Sequence, residues 1–471
     1  MESRTMAMQT GGLASERAFH WEPQPRAQAV VDELVASFLA ACPPARGLAE
    51  RMRTQTGTRF RDWIDFIEAP EAGGLRGRLE GAGFTARPQP GAMNRLVHEG
   101  GLFPAVLLGR GPGMRVGIKV ERVEDFLAAQ GVSGRVEIEG EPLSRFRWAR
   151  AFASPGAELW AVERHGYQGF APTNDDARVR LASLRHFDRL CRRERAFDRD
   201  EDGFAHLHRL LDDAITDLGT DWACDVFFAA ERDYWMRRNK AGRFQKFRQD
   251  GLGLGWANHD HHTYRCGRAT YTRVIATLEK VGLHCRERFY AGEEAGWGAQ
   301  VLEHPVTGIT VFADVDLGPE EIAGDFAHQP LPRRGGVGTI GLWVRLHGES
   351  MLQAGMHHLE AQFDWHALKE QLEKEGGVKT MDPFTTLPYL RQAFTEAEMW
   401  PVDERRLAGL VADGSITAAQ AENFRRHGAM GSHLENLQRE DGFKGFNQKG
   451  VSDIIARTNP AKAHAPVAAG A

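Results

Sequence analysis

Cysteine is scarce in this 471-residue chain. The five residues, Cys42, Cys191, Cys224, Cys266 and Cys285, are odd in number and widely spaced, and they include no Cys-x-x-Cys pair. That excludes a disulfide framework and a thiolate zinc cluster, and it points to a reducing compartment. Uninterrupted apolar runs of about 18 residues are absent, so no membrane-spanning helix is expected. Met1 to Ser15 is polar and lacks the apolar core of a signal peptide, so the expected location is cytoplasmic. Charge of one sign is not in excess either. Lys plus Arg number 59 against 64 Asp plus Glu, a net charge of -5, which gives no global field for nucleic acid or an anionic membrane.

What remains is a chain of ordinary globular composition, long enough for two or three domains. Val30, Leu34, Phe38 and Leu39 recur at helical spacing, and Pro43-Pro44 ends that helix. Residues 1–60 therefore read as N-terminal helices. Residues 61–172 read as a β-α-β-β-β unit with added strands. Its first strand is Ile64 to Ala69, its helix contains Leu75 and Leu79, and longer strands near Phe146 and Leu159 close it. Residues 173–255 form a helical spacer and a basic loop. Residues 256–400 form a second β-α-β-β-β unit, with strand His261 to Cys266, an amphipathic helix Arg268 to Val281, and strands Leu283 to Tyr290, Gly298 to Leu302 and Ile309 to Val315. Thr339 to Leu346 reads as a further strand and Trp365 to Glu375 as a helix. Residues 401–457 are expected to be C-terminal helices and 458–471 a frayed tail. The two units look like a pseudo-repeat, so the expected architecture is α+β, with paired βαβββ modules forming half-barrels around a central cavity.

Arg232 to Arg248 interleaves cations with aromatic rings, a pattern that binds single-stranded nucleic acid. The acidic balance of the chain favours the plainer reading, a solvated loop whose Arg and Lys stems lie along apolar surface. No nucleic-acid partner is expected.

Histidines cluster at His259, His261 and His262, and again at His357 and His358. Strand alternation puts His261 and His262 on opposite faces. A neutral imidazole in a cavity is a ligand for iron, manganese or zinc, and the clustering favours this role for His261 over that of a hydrogen-bonded core residue. A redox iron site needs a second His and a carboxylate. Glu303, Asp314 and Glu349 are the carboxylate candidates. Glu349 is favoured because it follows the apolar stretch Thr339 to Leu346. His165 and His358 are the candidates for the second His.

The segment Asp260 to Cys266 (DHHTYRC) and its following helix resemble the start of a module of the vicinal oxygen chelate superfamily. Asn258-His259 to Arg265, Val301 to Val306, Val344 to Glu349, Glu163 to Gly166 and Gly450 to Ser452 loosely resemble the 2-oxoadipate dioxygenase/decarboxylase family. The resemblance implies an Fe(II) site of two His and one Glu, with His261 and Glu349 as ligands, that chelates a small 2-oxo acid and uses dioxygen. It also implies an Arg and C-terminal loop amides that hold the substrate carboxylate. Arg265, four residues after His261, fits the Arg role, and Val451 and Ser452 fit the amides. Zn(II) or Mn(II) are the alternative ions. A Zn(II) lyase or isomerase, and a metal-free binding module suggested by Phe66 at a ligand-like position, are the competing functions.

Overall fold

The computed structural model describes residues 21–447 apart from 110, 133, 135 and 386. Val451, Ser452 and the expected tail lie outside the described residues.

The first sheet is built from β1 (Ile64–Pro70), β2 (Thr85–Ala86), β3 (Arg95–Val97), β4 (Ala105–Gly109), β5 (Met114–Lys119), β6 (Ile138–Glu139), β7 (Phe146–Ser154) and β8 (Ala157–Arg164). Their order is β2-β3-β4-β1-β5-β8-β7-β6. The second sheet uses β9 (His259–Arg265), β10 (His284–Tyr290), β11 (Trp297–Glu303), β12 (Thr310–Asp316), β13 (His358–Gln362) and β14 (Leu390–Phe394). Two short strands, β15 (Met399–Trp400) and β16 (Ala429–Met430), pair with each other, and β17 (His433–Arg439) returns to the second sheet. Its order is β10-β11-β12-β9-β13-β17-β14.

One rule generates both sheets. A first strand pairs in parallel with the last strand of its own module, in β1–β4, β5–β8, β9–β12 and β13–β17. Parallel pairing requires a crossover connection, and each module has one, in helices Leu75–Gly81, Val123–Ala129, Tyr271–Lys280 and Trp365–Gln371. The first strands of two modules then lie side by side and antiparallel, as β1–β5 and β9–β13. The expected class therefore holds: the chain is α+β, with paired βαβββ modules that curl into half-barrels. Each sheet is itself a pair, so the segment 61–172 contains two modules. Among the described residues, β14 is the one strand of the fourth module beyond β17 in the sheet. Helices Glu404–Ala412 and Ala418–His427 lie between β14 and β17.

Three local expectations change. Thr339–His347 is a helix rather than a strand. Its apolar run has no clear period, and its N-terminus is anchored by Asp316, whose carboxylate accepts from the backbone N–H of Gly338, Ile340 and Gly341 at 2.8–3.0 Å. The basic loop around Arg232 to Arg248 is helical, in Thr220–Arg237 and Lys240–Gly251. The segment 401–457 contributes a central strand, β17, as well as helices.

Apolar residues pack the convex sides of the sheets. Helices Pro25–Ala41 and Pro43–Thr56 cover the first sheet through Phe38, Leu48 and Met52. Helices between Ala177 and Gly251 cover the second through Leu211, Phe227 and Trp235. The concave faces are thus left to other side chains. Among the described residues, no helix is long and apolar enough to cross a membrane.

Candidate metal centre

Register assembles the site. On the concave face of the second sheet, Glu360 of β13 stands opposite His261 of β9 and opposite Glu435 of β17. One step along, His358 stands opposite Thr263 and His433. Residues two apart on a strand share a face, so His261 and Thr263, His358 and Glu360, and His433 and Glu435 all face one cavity.

His261 is buried, and its Nδ1 lies 2.8 Å from Asp260 Oδ1. Arg439 in turn grips Asp260 through two hydrogen bonds of 2.9 and 3.0 Å. A carboxylate on Nδ1 fixes the tautomer and leaves the Nε2 lone pair free, the arrangement that orients a metal-bound histidine. Burial lowers the His261 pKa and outweighs the raising effect of Asp260, so the ring is neutral at pH 7. Burial raises the Asp260 carboxyl, but Arg439 and His261 more than offset this and hold it below the usual range.

The free Nε2 of His261 lies 3.3 Å from Glu360 Oε1. Nε2 of His358 lies 2.5 Å from the same oxygen and 3.7 Å from Glu435 Oε2. Thr263 Oγ1 donates to Glu360 Oε1 at 2.8 Å. Behind His358, its Nδ1 meets His433 Nε2 at 2.7 Å. Burial raises both carboxyl groups, Glu435 to about 7 with the Asp260 charge adding to it, and Glu360 well above its usual value with the Glu435 charge adding to it. Glu360 Oε2 and Glu435 Oε1 have no hydrogen-bond partner among the described residues.

This donor set fits a divalent cation. Atoms of His261, Glu360 and Glu435 lie within 4.8 Å of one another, a spread that a single ion with bonds of about 2.0–2.2 Å spans. Two buried carboxylates side by side either share a proton or take a cation, and their unpartnered oxygens are open to one. His358 adds a second imidazole.

Arg265 and Asp314 extend the same face. They are register partners on β9 and β12, both are buried, and both line a cavity of about 60 Å³ with His261, His358 and Glu435. Arg265 Nε and Asp314 Oδ1 have no hydrogen-bond partner among the described residues. Burial lowers Arg265 to about 10 and raises Asp314 to about 8. Phe289, Trp297, Phe312, Phe394 and Phe446 form the apolar wall.

The candidates from the sequence divide. His261, His358 and Arg265 come together here. Glu349 does not: it follows a helix, and its Oε1 accepts from Gly267 N at 2.8 Å and from Thr270 Oγ1. His165 lies at the end of the first sheet, with Nδ1 2.9 Å from Asp225 and Nε2 3.1 Å from Glu163. Burial lowers its pKa, but these two carboxylates more than offset that and raise it to about 10, so the ring is cationic and has no lone pair to offer. Glu303 is paired with Arg286 and Lys444. Asp314 faces Arg265. The carboxylates at the centre, Glu360 and Glu435, were missed. The sequence carried a signal for them, since His-Leu-Glu occurs at both 358–360 and 433–435, and strand alternation puts His and Glu of each triplet on one face.

The protein is thus a paired-βαβββ protein with a buried His/Glu donor cluster on the concave face of one sheet. No protein-family profile and no curated protein matches the chain. Among solved structures it is similar to a mutant 4-hydroxymandelate synthase from Streptomyces coelicolor, at 12% identity and a TM-score of 0.28, over 84% of this chain and 99% of that one. It is also similar to a putative glyoxalase superfamily protein from Ralstonia eutropha, at 15% identity and a TM-score of 0.30, over 55% and 92%. A third is methylmalonyl-CoA epimerase from Mycobacterium tuberculosis, at 13% identity and a TM-score of 0.22, over 39% and 89%.

Proposed function

We propose that the protein is a mononuclear, Fe(II)-dependent dioxygenase of the vicinal oxygen chelate type, acting on a small 2-oxo acid, with decarboxylation as an accompanying step. The observation that carries this reading is the meeting of donor atoms of His261, Glu360 and Glu435 within 4.8 Å of one another, with His358 Nε2 2.5 Å from Glu360 Oε1. Two imidazoles and a carboxylate on one side of an ion are the ligand set of non-haem iron oxygenases, with positions left open for substrate and oxygen. Iron bound there would supply Lewis acidity and one-electron redox chemistry.

The chain's own groups supply the rest. Arg265 presents a planar fork to the substrate carboxylate. Asp260 and Arg439 hold the His261 ring, and Thr263 holds Glu360. The phenylalanines around the cavity keep water from the reacting atoms. Glu435 lies on the last strand of its module and is the carboxylate ligand in this reading, with Glu360 beside it as a proton-holding group.

The second carboxylate favours one other reading, a Zn(II) lyase or isomerase in which Glu360 moves the proton. Metal analysis of the purified protein separates the two, with oxygen consumption measured against a panel of 2-oxo acids. Iron with substrate-dependent oxygen uptake supports the dioxygenase. Zinc with oxygen-independent turnover supports the lyase. If no metal is held and Fe(II) or Zn(II) leaves Tm unchanged, both fail, and the fold is a metal-free binding module.

A further inference from the structure

A separate group of metal-type donors lies on the surface, away from the His261 centre. Glu279 is in the last turn of helix Tyr271–Lys280, and Cys285 is the second residue of β10. His328 lies in the segment between β12 and helix Thr339–His347. One donor atom of each lies within 4.8 Å of the others, and all three residues are exposed. His328 Nε2 is 2.9 Å from Glu279 Oε1, and Cys285 Sγ is 4.0 Å from the same oxygen.

Buried neighbours fix the places of these exposed groups. Leu278 and Leu283, beside Glu279 and Cys285, belong to one core cluster. Phe326 and Ala327, just before His328, belong to the same cluster, and the Phe326 ring stacks 6.0 Å from that of Tyr271. Asp325 then holds the imidazole. Its carboxylate oxygens lie 2.9 and 3.0 Å from His328 Nδ1, which leaves Nε2 toward Glu279. A carboxylate on the far nitrogen is what orients a metal-bound histidine, and Asp260 holds His261 in the same way.

A plain surface ion pair would account for Glu279, His328 and Asp325, but it gives no part to the thiol beside them. The cations adjoining in sequence are turned elsewhere. Lys280 pairs with Asp212, Arg286 with Glu287 and Glu303, and Arg288 donates to the Ile322 carbonyl. Two carboxylates therefore share one imidazole. Thiolate, imidazole and carboxylate together suit Zn(II). With bonds of about 2.3 Å to sulfur and about 2.0–2.2 Å to nitrogen and oxygen, tetrahedral ligand atoms stand about 3.5 Å apart. The distances of 2.9 and 4.0 Å bracket that value, so small rotations of exposed side chains reach it.

We infer that Glu279, Cys285 and His328 form a separate Zn(II) site, with water as the fourth ligand. The thiol and the imidazolium each release a proton to solvent as the ion binds. One thiolate suffices, so the lack of a Cys-x-x-Cys pair does not bear on it. The ion ties the end of a helix, the start of β10 and the segment after β12 at one point. The site shares no residue with the His261 centre and is independent of the function proposed there.

The test is Co(II) titration of the full-length protein after dialysis against a chelator, followed by absorption, with Zn(II) added last. A thiolate-to-cobalt charge-transfer band is expected, abolished by Zn(II). No cysteine is among the described residues lining the His261 centre, so that centre gives no such band. Cys285→Ser is expected to remove the band. His328→Ala should weaken Co(II) binding about a hundredfold and Asp325→Asn about tenfold, while His261→Ala keeps the band. These positions are at the surface, and circular dichroism checks that each variant folds. Zinc bound here is told from zinc at the His261 centre by Cys285→Ser, which removes only the former. No band in the wild type, a band that survives Cys285→Ser, undiminished affinity in His328→Ala, or loss of the band in His261→Ala overturns the inference.

Discussion

The two sheets are the same construction with opposite concave faces. In the second, the row across β9, β13 and β17 reads His261, Glu360, Glu435. In the first, the corresponding row across β1, β5 and β8 reads Phe66, Gly117, Trp160. Phe66 fills the space that donors occupy in the other half and packs against Trp148 and Phe170. Gly117 is what admits its ring, because a Cβ there would overlap it. The residue before each key position is an aspartate, and each is held by the arginine that ends the last strand of the pair, Asp65 by Arg164 and Asp260 by Arg439. The scaffold ion pair is present in both halves and the donor set in one. The βαβββ pair is therefore stable with either filling, and the chemistry belongs to a single row of side chains.

The largest expected difference between the halves is in metal content. His261→Ala should lower metal occupancy by about a hundredfold with the fold retained, since it removes a ligand and not a packing group. Elemental analysis beside circular dichroism checks this, and unchanged occupancy would place the ion elsewhere. Phe66→Ala should do the reverse. Losing a fully buried ring costs about 3–5 kcal/mol, read as a lower midpoint in denaturant, while metal per chain stays constant.

The paired aspartates sharpen the contrast. Asp260→Asn leaves Arg439 buried without its counter-charge, a loss of about 3 kcal/mol, and should also weaken metal binding about 10- to 100-fold because the His261 ring loses its anchor. Asp65→Asn should lower stability by less, since Arg164 is partly exposed, and leave metal affinity alone. Equal effects of both variants on affinity would mean that the aspartates are purely structural.

The last contrast is in pH dependence. Glu435 is raised from 4.5 to about 7 in the folded state. The folded metal-free protein therefore binds more protons than the unfolded chain between these values, and it should lose stability as pH rises from about 4.5 to 7. His165 is raised from 6.5 to about 10, so the first half should lose stability as pH rises from about 6.5 to 10. Metal loading should remove the lower window and His165→Gln the upper one, both read from Tm against pH.

Much of the fold was legible in the sequence. The amphipathic helix Tyr271–Lys280 and strands β9 to β12 follow from local periodicity, because their pairings are close in sequence. Phe66 was legible as the residue standing where a ligand would be. The strand β17 was not, because it reaches β13 only after β14, the short ladder β15–β16 and the two helices that ladder encloses, and no local pattern announces a partner about 75 residues away. Thr339–His347 was misread for a related reason. It is apolar nearly all round, and a short run without a period fits strand and buried helix equally.

Alternation by itself determined that His261 and Arg265 share a face and that His262 does not, because that follows from the two-residue repeat of an extended chain. It also determined the α+β class, through the order of periodic segments. The tertiary structure decided which carboxylates meet His261. A pairing register between strands distant in the chain is set by packing of the whole sheet, and it brought in Glu360 and Glu435 where the chain order had suggested Glu349.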